Sequence, residues 1–207
     1  MKPDLKTKIA KYYGQKVTEY GTAAKGVDWK DEDSQNLRFK QLLKIAGEDK
    51  TFSLNDLGCG YGAICKYQNL LSRLSHYYGY DIAGEMLNKA RQLITDKRAE
   101  FINSDLITKE TDYSIASGIF NVKLDTDEKI WKDFVLKTLT NMNEKSVKGF
   151  AFNCMTTYVD FKVEHLYYAD PLFFFDYCKK NFSKYVTLIH DYKLYEWTIL
   201  VRKQLPE

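Results

Sequence analysis

The chain has 207 residues, 44% of them hydrophobic, and its 31 basic side chains nearly balance 28 acidic ones for a net charge of +3. That length and apolar content can bury one sizeable core and suit a single domain, and a charge this near balance gives no electrostatic footprint of nucleic-acid binding. The longest apolar stretch, Pro171 to Tyr177, is far too short to span a bilayer and holds Asp176. Four cysteines, at 59, 65, 154 and 178, form no Cys-x-x-Cys pair, and the opening Met-Lys-Pro-Asp-Leu-Lys lacks the apolar core of a signal peptide. Both point to a reducing, cytoplasmic setting with free thiols.

In chain order, Leu5, Ile9, Tyr12 or Tyr13, and Val17 recur at helical spacing and predict an amphipathic helix over 4–20. Residues 21–33, with Gly21, Gly26 and Trp29 among polar neighbours, read as a loop. A second helix starts at Ser34-Gln35 and carries Leu37, Leu42, Leu43 and Ile45. Phe52, Leu54 and Leu57 mark an inner strand that runs into the turn Gly58-Cys59-Gly60-Tyr61-Gly62. Beyond it come a helix over 63–74, a strand 76–81, a helix 84–96, a strand 99–104, a strand 113–120, a helix 128–141 and a strand 147–155. Strands alternating with helices imply an α/β fold with a parallel sheet. An aromatic and charged insertion, Thr156 to Asp170, precedes a helix from Pro171 to Asn181, with proline at its first turn. The strands 184–191 and 195–203, only three residues apart, form an antiparallel hairpin.

The chemistry concentrates at the glycine turn. Glycines tolerate positive φ and let a ligand approach bare backbone, and a loop entering a helix N-terminus exposes unpaired N–H groups. Gly58-x-Gly60-x-x-Ala63 satisfies the loose dinucleotide fingerprint, and Asp81 stands at the spacing where an acidic residue meets ribose hydroxyls. A dinucleotide and another adenosine-bearing cofactor both fit these residues.

The longer string, Asp56-Leu57-Gly58-Cys59-Gly60-Tyr61-Gly62 followed by Tyr80-Asp81-Ile82-Ala83-Gly84-Glu85-Met86-Leu87, resembles the class I S-adenosylmethionine-dependent methyltransferases. The resemblance extends to Phe101-Ile102-Asn103-Ser104-Asp105-Leu106 and to Tyr113 through Phe120, and it covers residues 51 to about 203. It implies a three-layer Rossmann-like fold with a mostly parallel seven-stranded sheet whose last strand is antiparallel. Residues 1–50 would form an N-terminal helical lid, because the strand-helix pattern starts only near residue 51 and leaves that preface no sheet position to fill. The core would span 51–203, interrupted by the 156–170 insertion.

The resemblance also implies roles. S-adenosylmethionine would be the cofactor, with Asp56, Gly58, Cys59 and Gly60 around its methionine portion and Asp81 on the ribose hydroxyls. Ile82 and Met86 would lie against adenine, Ser104, Asp105 and Leu106 at its amino edge, and Ser117 and Gly118 on the other side. Arg38 offers a guanidinium for a carboxylate. Tyr13 with Asn121 and Tyr158 are candidate contacts to a small-molecule acceptor, and Tyr12 and Trp29 offer further aromatic faces for a cation. Methyl transfer from a sulfonium is mostly a positioning problem and needs no metal. Where the acceptor is a hydroxyl a base helps, and His165, in the insertion, is favoured over His76, His190 and the carboxylates Asp160, Asp191 and Glu196. The Asn/Asp-Pro-Pro-Tyr/Phe motif of nucleic-acid amino methyltransferases is absent, since the chain reads Ile119-Phe120-Asn121-Val122. The alternatives are a protein or RNA methyltransferase, or a cofactor-binding module without catalysis.

Overall fold

The computed structural model describes residues 3–20 and 31–204. Seven strands, β1 (Phe52–Leu57), β2 (Leu74–Asp81), β3 (Ala99–Asn103), β4 (Thr111–Ala116), β5 (Ser146–Met155), β6 (Tyr185–Ile189) and β7 (Glu196–Arg202), form one sheet in the order β3-β2-β1-β4-β5-β7-β6. The pairs β1–β2, β1–β4, β2–β3 and β4–β5 are parallel, and only β7 runs against its neighbours β5 and β6. This is the expected arrangement, including the closing hairpin.

Among the described residues six α-helices accompany the sheet: α1 (Pro3–Tyr20), α2 (Glu32–Leu43), α3 (Leu70–Arg73), α4 (Gly84–Leu93), α5 (Glu128–Glu144) and α6 (Pro171–Asn181). Aspartates start three of them: Asp31, Asp127 and Asp170 each accept a hydrogen bond from a first-turn backbone N–H, a contact worth about 1 kcal/mol. Strand alternation then sorts side chains to two faces. Phe150, Phe152, Trp197, Ile199 and Val201 meet Trp131, Val135 and Leu139 of α5 and Phe174 and Cys178 of α6. On the other face Leu54, Ile115, Ala151 and Leu200 meet Phe39 and Leu42 of α2 and Leu87 and Ala90 of α4. Central strands sandwiched this way need apolar residues on both faces, and β7 is buried from Glu196 through Val201.

Three expectations need correction. The crossover after β1 is a 3-10 helix over Ala63–Asn69, kinked near its end, followed by the four-residue α3, and β2 begins at Leu74 rather than residue 76. Eleven residues must travel back along a six-residue strand of roughly 20 Å. At about 1.5 Å per residue eleven residues of α-helix reach only about 17 Å, whereas a 3-10 helix rises about 2.0 Å per residue. The chain escapes the kink through Gln68 and Asn69, both at positive φ. Second, β4 ends at Ala116, because Gly118 at φ 72 takes 117–120 out of the ladder. Third, the preface does fill a position against the sheet. Phe39, Leu42, Ile45 and Ala46 are core residues packed with Phe52 and Leu54, so α2 belongs to the layer over β5 and β7. Both helices also reach the ligand end, α1 through Ile9 and Tyr13 and α2 through Gln35 and Phe39. Trp29 and the loop around Gly21 and Gly26 lie outside the described residues.

Candidate active site

All the conspicuous glycines and aspartates meet at the C-terminal ends of β1 to β4, where open α/β sheets bind ligands. After β1 the backbone N–H groups of Gly58 and Cys59 both donate to the Tyr80 carbonyl, at 2.7 and 2.9 Å, which bends the turn over the end of β2. Position 58 demands glycine twice over: its φ is +76°, and a Cβ there would sit 2.0 Å from Ile119 Cγ2. The loop after β4 therefore lies directly against the glycine turn.

Three carboxylates line the resulting cavity, each held differently. Asp81 Oδ2 accepts the Gly60 N–H at 2.9 Å and Oδ1 the Ala83 N–H at 2.8 Å. Burial raises its pKa, and those backbone bonds offset part of the rise. Each oxygen keeps a further lone pair for a ligand hydroxyl. Asp56 is 4% exposed and accepts the Tyr77 hydroxyl at 2.7 Å. Burial pushes its carboxyl up to about 7, the Tyr77 bond pulling the other way. At Asp105 burial acts upward, but several hydrogen bonds and charges, the 3.0 Å ion pair with Lys6 of α1 among them, together leave the carboxyl below its ordinary value.

The rest of the wall is largely apolar. Ile82 and Met86 stand beside Asp81, Ile9 and Tyr13 come from α1, Gln35 and Phe39 from α2, and Phe134 and Thr138 from α5. Tyr61 lies inside the glycine turn and its hydroxyl meets Gln35 Nε2 at 3.5 Å. Ser117 lines the cavity, and its buried Oγ has no hydrogen-bond partner among the described residues. Its neighbour Gly118 donates its N–H to Asn153 Oδ1 at 2.7 Å.

Of the residues singled out by sequence, Asp56, Gly58, Cys59, Gly60, Asp81, Ile82, Met86, Ser104, Asp105, Ser117, Gly118 and Tyr13 thus line one cavity. Five others do not. Leu106 is 45% exposed in a small turn closed by Ser104 Oγ. Arg38 is turned inward, with its guanidinium engaging Glu196 at 2.7 to 3.0 Å. Asn121 is buried between Glu196 and the Met155 N–H. Tyr158 is 64% exposed beside His190. His165 is exposed, and its backbone carbonyl accepts from Lys123 and Leu124. The insertion is tied to the loop after β4 through the Tyr167 N–H to the Asn121 carbonyl, and neither His165 nor Tyr158 lines the cavity. Sequence reasoning missed Ile9, Gln35, Phe39, Tyr61, Phe134 and Thr138. Tyr61 could have been found from its place in the turn, and Phe134 with Thr138 from their i, i+4 spacing on α5.

The family model described as "Methyltransferase domain" matches residues 55–120, from β1 to the loop after β4. A Mycobacterium tuberculosis (strain ATCC 25618 / H37Rv) protein named as a methyltransferase is 45% identical over 164 residues, which is 78% of this chain and 99% of that protein. Among solved structures, magnesium protoporphyrin IX methyltransferase from Synechocystis PCC 6803 with bound S-adenosylmethionine superposes at a TM-score of 0.64 and 14% identity, covering 96% of this chain and 97% of that one. The DhpI-SAM-HEP complex gives 0.69 at 11% identity, over 97% and 98%. Human N-acetylserotonin methyltransferase in complex with S-adenosylmethionine gives 0.63 at 15%, over 99% and 60%. At these identities the structural likeness is one of fold.

Proposed function

This chain belongs to the class I S-adenosylmethionine-dependent methyltransferases, and from that premise we propose that it transfers a methyl group from S-adenosylmethionine to an oxygen or nitrogen atom of a small-molecule acceptor. The observation that carries the reading is Asp81: a carboxylate pinned by the Gly60 and Ala83 amides beside the glycine turn, with an acceptor position left on each oxygen. A ribose diol offers two hydroxyls to fill them.

The remaining residues fit the same cofactor. Gly58 leaves no room for a side chain, so the backbone itself meets the methionine end there, and Asp56 suits the α-ammonium group. Ile82 and Met86 supply an apolar surface for adenine, and Asp105 an acceptor for its amino edge. Ser117 Oγ, buried without a partner among the described residues, is the polar atom available on the opposite wall. When bound, the cofactor supplies a methyl group already activated by its sulfonium. The protein's share is to hold donor and acceptor in line, an effect that supplies about 7–11 kcal/mol in well-oriented reactions. Ile9 and Tyr13 make α1 the cover over this site, tied by Lys6 to Asp105 and by Lys8 to Asp125. Support for a small acceptor comes from two relatives in fold whose names specify a porphyrin and N-acetylserotonin.

Two measurements test the reading. Calorimetry should give S-adenosylmethionine and S-adenosylhomocysteine binding with no comparable affinity for NAD, and tighter NAD binding would refute the cofactor assignment. Incubation with methyl-labelled S-adenosylmethionine and a metabolite extract should label a small molecule. Label found only in protein or RNA transfers the activity to a macromolecule, and label in no fraction leaves a binding module.

A further inference from the structure

Behind the cavity wall lies a buried polar cluster to which the cofactor chemistry assigns no task. Because β7 runs antiparallel, its first residue, Glu196, sits at the ligand end of the sheet, opposite Met155, the last residue of β5. It is 3% exposed. Its Oε1 accepts Arg38 Nη2 at 2.7 Å, Arg38 Nε at 3.0 Å and Asn121 Nδ2 at 3.3 Å. Its Oε2 accepts Arg38 Nε at 2.9 Å and Asn153 Nδ2 at 3.0 Å.

We propose that Glu196 is a positioning residue for the methyl-transfer site, setting the Ser117–Asn121 loop through Asn153 and Asn121, and the cavity-facing wall of α2 through Arg38. The argument starts from donor and acceptor chemistry. An ionised carboxylate can only accept, so it fixes which end of the Asn153 amide faces it: the NH2 points to Glu196 and the oxygen to the Gly118 N–H, 2.7 Å away. Gly118, at φ 72, then directs Ile119 onto the bare Cα of Gly58 and leaves Ser117 in the wall. Asn121 repeats the device at the far end of the loop, its NH2 to Glu196 and its oxygen to the Met155 N–H at 3.0 Å. On the other side Arg38 lies between Gln35 and Phe39, both of which line the cavity, and its fork on Glu196 sets how far α2 stands from the loop. A buried ion pair is weak evidence for stability, since apolar replacements often serve as well. Apolar side chains would not orient the two amides.

The inference rests on the cofactor reading above, and its test reads S-adenosylhomocysteine affinity by calorimetry beside the thermal midpoint of each variant. N153D sets a second carboxylate against Glu196 and should weaken binding at least tenfold. In the double variant N153D/E196Q the amide and the carboxylate have exchanged places, the repulsion is gone while Gly118 N–H keeps its acceptor, and affinity should return to within about threefold of the wild type. R38K keeps the charge but loses the planar fork, and should weaken binding at least threefold even where the thermal midpoint hardly moves. R38K at wild-type affinity, or a folded double variant that stays tenfold weaker, overturns the proposal; N153D at wild-type affinity does the same. Wild-type protein that does not bind S-adenosylhomocysteine refutes the cofactor reading itself, whereas failure of the variants in a protein that does bind it refutes the role of Glu196 alone.

Discussion

On the β1–β2 side of the ligand end, Asp56 and Asp81 line the cavity and, among the described residues, take hydrogen bonds from backbone amides or one hydroxyl. On the β5–β7 side Glu196 faces inward and is saturated by a guanidinium and two side-chain amides. Both halves carry buried carboxylates, yet the first keeps lone pairs for a ligand and the second commits them to the protein. A carboxylate held by fixed backbone donors is a receptor, whereas one held by an arginine fork is a joint between elements. Each half should therefore fail in its own way.

The largest effect is expected on the joint. Arg38→Met leaves the carboxyl of Glu196 buried without its main partner, and urea denaturation should show a loss of about 3–5 kcal/mol. The double change Arg38→Met with Glu196→Leu should recover most of that loss. A single variant as stable as the wild type would erase the distinction between the two halves.

Next is the receptor. Asp81→Ala should cost S-adenosylhomocysteine binding roughly 1.5–3 kcal/mol, the worth of hydrogen bonds to a charged group, or about 10- to 150-fold in Kd at 1.4 kcal/mol per decade. An unchanged Kd in a folded variant removes Asp81 from the site.

A third effect is pH-dependent and belongs to Asp56. Its folded-state pKa, about 7, lies above the ordinary 3.8 because burial disfavours the charged form. The folded protein thus holds this proton more tightly than the unfolded chain, and the associated stability is present in full below about pH 4 and lost as pH rises toward 7. A cofactor ammonium group favours the ionised form, so S-adenosylhomocysteine binding should release a proton near pH 6 and tighten from pH 6 to pH 8. Calorimetry in buffers of different ionisation enthalpy measures the release. Asp56→Asn should flatten both dependences, and a variant that keeps them assigns the titration elsewhere.

The smallest effect is at the rim. The Lys6 to Asp105 pair is 3.0 Å long with the lysine 37% exposed, so Lys6→Ala should cost about 0–1 kcal/mol. Its clearer signature is hydrogen exchange: amides of α1 should exchange faster in this variant, and S-adenosylhomocysteine should slow them in the wild type. Exchange in α1 that is indifferent to ligand would mean that the helix is a fixed part of the wall.

The two halves also differ in how legible they are in the sequence. Asp56, Gly58, Gly60 and Asp81 stand at or just beyond the ends of successive strands in a local spacing, and their shared cavity can be read from it. Sequence order puts His165 and Tyr158 near the site because the insertion follows β5, but both are exposed and outside the cavity lining, in an insertion tied to Asn121 by the Tyr167 N–H. Arg38 reads as a ligand's partner because nothing in its neighbourhood announces a carboxylate 158 positions away. The crossover after Gly62 has helical composition, and its length relative to β1 overrides that preference.

Local periodicity determined the strands, most of the helices and the closing hairpin, because whether a side chain faces the core repeats every two or 3.6 residues wherever the strand or helix lies. The glycine turn and its aspartates were determined in the same way, since positive φ and an acid at a strand's end are properties of a few neighbouring residues. Only tertiary structure decided that α2 belongs to a core layer, that Ile9 and Tyr13 of α1 line the cavity, that Ile119 presses on Gly58, and that Glu196 joins Arg38 to Asn153. Those pairings cross the sheet between distant segments. A carboxylate that the chain presents to no neighbour in sequence finds its partners only when burial makes an unpaired charge too costly to keep.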